Sequence, residues 1–217
     1  VGAGPGAPDL LTLRAARLIE RADVLFHDAL VHPDTIALAA HAEKIPVGKR
    51  CGRHSTAQAF INKRLVDAAS RHEIVVRLKG GDPMVFGRAQ EEIDALARAG
   101  IDVEVVPGIT AALAASASVG VSLTRRALSR NVTFVTPRTG ENEKASDWVR
   151  SVLAADTAVI YMGAGQADTI FSRLTGAGMS PSTPVAIVES ASLPDESQRF
   201  GTLDDLASLA ASTDEGP

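Results

Sequence analysis

The chain has 217 residues, of which 45% are hydrophobic and 22% charged, which is ordinary for a globular protein of one large or two small domains. Its net charge of −4 argues against non-specific nucleic-acid binding but permits a local basic pocket. No apolar run is long enough to span a bilayer, and the one cysteine, Cys51, excludes an internal disulfide and suits a reducing compartment. We therefore expect a cytoplasmic protein with neither a membrane nor a nucleic-acid partner.

Strand and helix patterns alternate through the first half of the chain. A glycine loop at 1–8 precedes Thr12, which can cap a helix that ends near Ala22. The further predicted strands are at 24–26, 44–47, 74–79 and 102–106, and the predicted helices are at 33–40, about 56–69, about 91–99 and 110–119. Because Val1 directly precedes the glycine loop, we expect most of the first strand to lie upstream of it.

The second half repeats the same rhythm. Predicted strands lie at 132–135, 157–162, 185–188 and 199–201, and helices follow Ser146 or Asp147 and cover 166–177 and 203–211. We expect a further strand after Pro217. Alternation of this kind predicts an α/β fold with a mainly parallel sheet in each half. The polar stretch 124–131 predicts the junction, which gives two lobes, 1–123 and 124–217, with a cleft between them.

The segment 75–92 is the most informative part of the chain. Arg77 and Lys79 alternate with Leu78, so both cations should leave one face at the end of a buried strand. Gly80-Gly81-Asp82-Pro83 then breaks the strand, and Arg88 precedes a helix that stops at Gly100. Ligands of open α/β sheets bind at the carboxyl ends of strands, so we expect a ligand site here rather than a plain turn.

Two other predicted strands also end in polar residues. Asp28 follows His27 at the end of one strand, and Lys49 follows Gly48 at the end of another. Taken alone, the aspartate could start a turn and the lysine could be solvated. Because the same edge also receives Arg77 and Lys79, the convergence favours an anionic ligand, for which arginine offers bidentate hydrogen bonds.

The glycine loop at 2–7 formally fits the dinucleotide-binding pattern G-x-G-x-x-A, with Asp28 where the ribose-binding acid would lie. Pro5 and Pro8 argue against this pattern, because they delay the helix whose N–H groups would meet a pyrophosphate. A nicotinamide-dependent oxidoreductase is therefore only the second interpretation. The five histidines lack the spacing of metal ligands, and Cys51 has no evident catalytic partner, so we expect neither a metal site nor a thiol nucleophile.

In this order the motifs resemble those of the tetrapyrrole (class III) methyltransferases, over nearly the whole chain. The most specific are VVRLKGGDP at 75–83 and VVPGIT at 105–110. The others are VGAGPG at 1–6, LLTLRA at 10–15, DALV at 28–31, VGKR at 47–50, VFGR at 85–88, YMG at 161–163 and PVAIVE at 184–189. Within the family, VGKR and VVRLKGGDPMVFGR point to the enzymes that methylate uroporphyrinogen III, either free-standing or as the methylase half of a sirohaem-forming protein with a preceding dehydrogenase-chelatase domain.

The resemblance implies a two-lobed homodimer that binds S-adenosylmethionine in the cleft. It also implies transfer of two methyl groups to carbons of uroporphyrinogen III, which yields precorrin-2 and S-adenosylhomocysteine and serves sirohaem or cobalamin synthesis. By the same resemblance, Asp28 is the proton-accepting acid, Lys49 its partner base or acid, and Arg77 and Arg88 face the tetrapyrrole. The implied cofactor contacts are Pro5, Gly80, Gly81, Asp82, Val85, Thr110, Ala111, Met162 and Ala191.

The chain departs from the family pattern at a few positions, which are Ala7, Met84, Ala89, Gln90, Pro137 and Arg138. None of them lies in the GGDP segment, so the expected cofactor site is intact. Two alternatives stay open: a methyltransferase that acts on a later precorrin, and a ligand-binding domain without catalysis, which would bind the cofactor without turnover.

Overall fold

A computed structural model of the chain describes residues 1–47, 54–139 and 146–211. The chain divides into two compact units, Val1–Ala114 and Ala115–Pro217. The sequence-based boundary between residues 123 and 124 lies nine residues C-terminal to the boundary of the compact units. The division into lobes 1–123 and 124–217 stays a prediction. Among the helices of the described residues, none combines the length and the apolar character needed to cross a membrane.

A three-stranded parallel sheet organises the first unit, with β1 between β2 and β3. The strands are β1 (Val24–His27), β2 (Glu43–Pro46) and β3 (Val75–Leu78). The helices are α1 (Leu13–Glu20), α2 (Pro33–Ala37), α3 (His54–Ala69) and α4 (Ala89–Arg98), and α5 (Ala111–Ser118) continues across the boundary into the second unit. These elements follow the order that the sequence pattern predicts.

Side chains on both faces of this sheet are buried. In β1, Leu25 packs with Ile19 of α1 on one face, whereas Val24 and Phe26 pack with Leu65 of α3 on the other. Period-two alternation sends neighbouring side chains to opposite faces, and helices on both faces cover an apolar parallel sheet. Thr12 caps α1 as predicted, since its side chain accepts a hydrogen bond from Ala15 N–H at 3.1 Å.

The N-terminal stretch runs beside β3. Ala3 N–H donates to Lys79 O at 2.7 Å, and Lys79 N–H donates to the carbonyl of Val1 at 3.0 Å. The prediction of a strand at 102–106 is wrong. Val106 O does accept a hydrogen bond from Gly2 N–H at 2.9 Å, but residues 102–105 are exposed and form no ladder.

The second unit contains a parallel pair and an antiparallel pair of strands. Strands β4 (Val132–Val135) and β5 (Thr157–Ile160) are parallel, and β6 (Pro184–Glu189) and β7 (Ser197–Thr202) are antiparallel. The helices are α6 (Trp148–Leu153), α7 (Ala167–Gly176) and α8 (Leu206–Ala211). Trp148, Ile170 and Leu174 form the centre of its core, and Asp147, one of the two predicted caps, accepts a hydrogen bond from Arg150 N–H.

Candidate functional site

Asp28 and Arg77 meet at the carboxyl end of the parallel sheet. The register pairs His27 with Leu78, so the residue after β1 lies beside the end of β3. Arg77 Nη2 donates to Asp28 Oδ1 at 2.5 Å, and Asp28 N–H donates to Leu78 O at 3.3 Å. The Asp28 side chain keeps 27% of its surface exposed, so this carboxylate is paired with a cation and still reachable from solvent.

A second carboxylate, which the sequence did not single out as part of the site, lies beneath this pair. Glu92 Oε1 accepts from Arg77 Nε at 3.1 Å, and both Glu92 oxygens accept from Lys79 Nζ at 3.3 Å. Gln58 Nε2 also donates to Glu92 Oε1, at 3.3 Å. Glu92 is 4% exposed and Lys79 5% exposed. The expectation that Lys79 offers its charge to a ligand is therefore wrong, because that charge is buried against Glu92.

One sequence signal would have indicated this burial of Glu92. Ala89, Glu92 and Leu96 are spaced three and four residues apart, so they share one face of α4. Ala89 is buried and Leu96 packs against the core cluster of Phe26. An acid on the apolar face of a helix needs a buried cation, and the strand before α4 supplies two of them.

The environment of Lys79 shifts its protonation. Burial lowers the pKa of the Lys79 ammonium below its usual value, and the nearby Arg77 charge lowers the pKa further. The carboxylates of Asp28 and Glu92 act in the opposite direction and raise the pKa. The four charged groups therefore form one coupled cluster of two cations and two anions.

Three backbone loops approach one another closely beside this cluster. Gly4 N–H donates to Gly81 O at 3.2 Å, and Gly81 N–H donates back to Gly4 O at 2.7 Å. A Cβ atom at Gly2 would lie 2.6 Å from Gly108 Cα and 2.8 Å from Gly81 O, which is closer than real Cβ contacts come. Gly81 also has a φ of +65°, which side chains rarely adopt. Only glycine fits these positions without rearrangement.

Asp82 ties these loops together. Its Oδ2 accepts from Gly108 N–H at 3.0 Å and its Oδ1 from Met84 N–H at 2.8 Å, while its carbonyl accepts from Val85 N–H at 3.2 Å. Thr110 is buried, and its Cα lies 3.9 Å from where a Cβ of Gly81 would be. The structure thus gathers most of the predicted cofactor contacts of the first unit at one place, which are Pro5 (after Gly4), Gly80, Gly81, Asp82, Val85 and Thr110.

The remaining candidate residues of the first unit differ in their surroundings. Arg88 precedes α4 with a left-handed φ of +53°, and its guanidinium pairs bidentately with exposed Glu91 at 2.6 and 2.7 Å. Ala111 is exposed at the start of α5. Lys49 lies outside the described residues.

Two candidate residues, Met162 and Ala191, belong to the second unit and sit at strained backbone. Met162 follows β5 with a φ of +56°. Ala191 is buried between Ser190 and Ser192, whose φ angles are +50° and +75°. Left-handed backbone at residues other than glycine costs roughly 1–3 kcal/mol and clusters at functional sites.

Carboxylates hold the loop around Ala191 in this conformation. Ser192 N–H donates to Glu196 Oε2 at 2.8 Å, and Ser190 Oγ donates to Asp195 Oδ2 at 3.2 Å. Hydrogen bonds from the side chains of Ser118 and Gln198 and from Ser192 N–H lower the pKa of Glu196. The strained turn is thus supported by an ionised acid. Over the described parts of both units, no group of three or more His, Cys, Asp or Glu side chains is placed to hold a metal ion.

A family model described as tetrapyrrole (corrin/porphyrin) methylases matches residues 1–207. The chain is 46% identical to a siroheme synthase of Psychrobacter sp. strain PRwf-1, over 95% of this chain and 42% of that protein. It is 43% identical to a uroporphyrinogen-III C-methyltransferase of Synechocystis sp. strain PCC 6803, over 93% of this chain and 78% of that protein. The chain spans less than half the length of the siroheme synthases that it matches.

The chain also superposes on solved structures of methyltransferases. A uroporphyrin-III C-methyltransferase of Thermus thermophilus, in complex with S-adenosylhomocysteine, superposes with a TM-score of 0.86 at 40% identity, covering 100% of this chain and 92% of that one. A cobalamin biosynthetic enzyme, cobalt precorrin-4 methyltransferase, superposes with a TM-score of 0.84 at 30% identity, covering 98% of this chain and 87% of that one.

Proposed function

Because the chain belongs to the tetrapyrrole (corrin/porphyrin) methylases, we propose that it transfers two methyl groups from S-adenosylmethionine to carbons of uroporphyrinogen III. The product is precorrin-2, the branch compound toward sirohaem and cobalamin. The observation that carries the proposal is the Asp28–Arg77 pair beside the glycine loops, in a chain 40% identical to a methyltransferase solved with S-adenosylhomocysteine. The fold disfavours nicotinamide binding, because α1 begins at Leu13, well after the glycines, and only a short turn at Pro8–Leu10 lies between them.

The residues present fit the cofactor. The bare backbone of Gly80 and Gly81, with Thr110 beside it, leaves room and hydrogen-bonding groups where side chains would otherwise project. Within the first unit, Pro5, Gly80, Gly81, Asp82, Val85, Thr110 and Ala111 would hold it, and in the second unit Met162 and Ala191. When bound, the sulfonium supplies an electrophilic methyl group, so positioning and electrostatics are the main tasks of the protein.

We assign to Asp28 the role of accepting the proton that leaves the macrocycle. A new bond between a pyrrole carbon and the methyl group breaks the carbon–sulfur bond, and a proton must later leave the macrocycle. The Asp28 carboxylate is exposed enough to accept that proton, and the Arg77 guanidinium at 2.5 Å keeps the carboxylate oriented. We assign the partner acid or base to Lys49.

Arg77 and Arg88 are the proposed contacts to the tetrapyrrole, which carries carboxylates around its rim. A guanidinium has five N–H groups, and the described hydrogen bonds of Arg77 use three of them, to Asp28, Glu92 and Leu78 O. Arg88 is the more accessible of the two, with 45% of its side chain exposed. Arg88 would exchange or share its contact with Glu91 when a substrate carboxylate arrives.

The chain is further proposed to act as a homodimer in the cytoplasm. The single cysteine suits a reducing compartment, and the resemblance to the family implies the homodimer. Analytical ultracentrifugation tests the oligomeric state directly.

A later precorrin is the second candidate acceptor, since the chain is also 30% identical to a cobalt precorrin-4 methyltransferase. Comparing the two acceptors in one assay distinguishes the two proposed functions. Under anaerobic conditions, S-adenosylmethionine is offered together with uroporphyrinogen III or with a later precorrin, and consumption of each acceptor is followed. We expect uroporphyrinogen III to be consumed at least tenfold faster; faster consumption of the later precorrin would replace the first proposal with the second.

A further inference from the structure

Glu92 occupies the centre of the charged cluster without facing solvent. Its carboxylate accepts from Arg77, Lys79 and Gln58, and it is 4% exposed. Removing one member of a buried charge cluster leaves another buried charge without compensation, which costs far more than an exposed pair is worth. A residue in this position determines where its partners can lie.

Glu92 constrains one edge of the Arg77 guanidinium. Nε of Arg77 donates to Glu92 Oε1 at 3.1 Å, and Nη2 of the same rigid, planar group donates to Asp28 Oδ1 at 2.5 Å. Nε and Nη2 are neighbouring donors of one rigid plane. The hydrogen bond from Nε to Glu92 therefore also fixes the direction in which Nη2 points toward Asp28.

Helix packing in turn fixes Glu92. Ala89 on the same face of α4 is buried, and Gln58 from α3, which also donates to Asn62 at 3.0 Å, donates to Glu92 Oε1 at 3.3 Å. The chain of contacts therefore runs from helix packing through Glu92 and Arg77 to Asp28.

We propose that Glu92 is a positioning residue for methyl transfer, which holds Arg77 against Asp28 and so fixes the carboxylate that receives the proton. This inference rests on the proposed function. Glu92 does not touch the substrate; it acts through Arg77. A displacement of a catalytic group by about 1 Å can cost roughly a hundredfold in rate, so loss of this support should appear in kcat.

The test compares Glu92→Gln with Asp94→Asn, which removes the same charge from the exposed face of the same helix. Single-turnover methylation of uroporphyrinogen III gives the rate, and calorimetric titration with S-adenosylhomocysteine gives the affinity. We expect Glu92→Gln to lower the rate about tenfold to a hundredfold while its S-adenosylhomocysteine Kd stays within about twofold of the wild type. Asp94→Asn should match the wild type in both.

A double-mutant cycle with Asp28→Ala separates positioning from a general loss of structure. Asp28→Ala alone should lower the rate by roughly a hundredfold or more, because the proton acceptor is gone. If Glu92 acts through Asp28, adding Glu92→Gln to Asp28→Ala should change the residual rate by less than about threefold. An equal loss in both backgrounds, or no loss in the wild-type background, would overturn the inference.

If Glu92→Gln fails to fold, Glu92→Asp is measured in the same cycle. It keeps the charge for Lys79 but withdraws the carboxylate by one methylene from Arg77 Nε, so the same non-additivity with Asp28→Ala is expected. A wild-type protein that transfers no methyl group would instead refute the proposed function itself, and the inference with it. Normal transfer by the wild type with additive losses refutes only the role of Glu92.

Discussion

At the scale of single residues, the site is a set of balanced charges rather than a basic surface. Arg77 and Lys79 were both expected to face a ligand, but Lys79 is buried against Glu92 and Arg77 is held between Glu92 and Asp28. As a result, the contacts of Arg77 hold the Asp28 carboxylate in one orientation. Such preorganisation matters more for methyl transfer than an excess of positive charge.

The sequence anticipated part of this arrangement. Asp28 and Arg77 were expected at the same edge because each ends a strand of one parallel sheet, and the register places them in contact. The role of Glu92 did not follow from strand ends, because it depends on how α4 packs on the sheet and how far each side chain reaches. The periodicity of α4 indicates that Glu92 lies on the buried face, but it does not encode which cations the carboxylate meets.

Lys79 provides a test of the buried cluster through pH. Because the folded pKa lies below the unfolded value of about 10.5, the unfolded chain holds more protons between the two values. The free energy of unfolding of the wild type relative to Lys79→Met should therefore rise with pH across the window between the lowered folded pKa and about 10.5, and level off below that window. Urea unfolding at each pH measures it.

Lys63→Met serves as the matched control, because it removes a lysine from the exposed side of α3 without opening a buried pair. A difference between wild type and Lys79→Met that stays flat, or that declines toward high pH, would contradict a lowered pKa of Lys79 in the folded protein.

At the scale of elements, the glycine loops join the strand ends into one surface. A side chain at Gly2 or Gly108 would collide with the backbone of the neighbouring loops, and a side chain at Gly81 would be strained by its φ of +65°. Asp82 joins the loops of Gly81 and Gly108, because its side chain accepts from Gly108 N–H. The sequence predicted these loops as separate turns after strands. Their mutual contact could not be predicted, since it is formed by residues far apart in the chain.

Gly108→Ala should disrupt this surface. The added Cβ would collide with the carbonyl oxygen of Gly81 and with the backbone of Gly2, so the loops must separate. We expect a lower melting temperature and S-adenosylhomocysteine binding weakened by roughly tenfold or more, since the displaced loop carries several of the proposed contacts. Calorimetry measures the binding, and differential scanning calorimetry measures the unfolding.

Gly176→Ala in α7 is the control, because a Cβ there meets no atom within 4 Å. Alanine also favours a helix over glycine, by roughly 1 kcal/mol, so this variant should be at least as stable as the wild type. If both variants bind the cofactor product with wild-type affinity, the glycine loops do not form the cofactor site.

At the scale of the whole molecule, the chain order of strand and helix patterns is enough to identify the α/β class. Alternation predicts parallel pairing, and both the three-stranded sheet and the β4–β5 pair are parallel. The antiparallel β6–β7 pair departs from this expectation, because no helix separates its strands and the short connection at 190–196 cannot make the crossover that parallel pairing needs. The departures at Ala7, Ala89, Gln90, Pro137 and Arg138 change side chains without changing this framework.

The most direct measurement is the mass of the tetrapyrrole after anaerobic incubation of the chain with uroporphyrinogen III and methyl-deuterated S-adenosylmethionine. The account predicts a gain of two labelled methyl groups on carbon, with two molecules of S-adenosylhomocysteine formed for each tetrapyrrole. A tetrapyrrole that returns without label, from a chain shown by calorimetry to bind S-adenosylhomocysteine, would contradict the account.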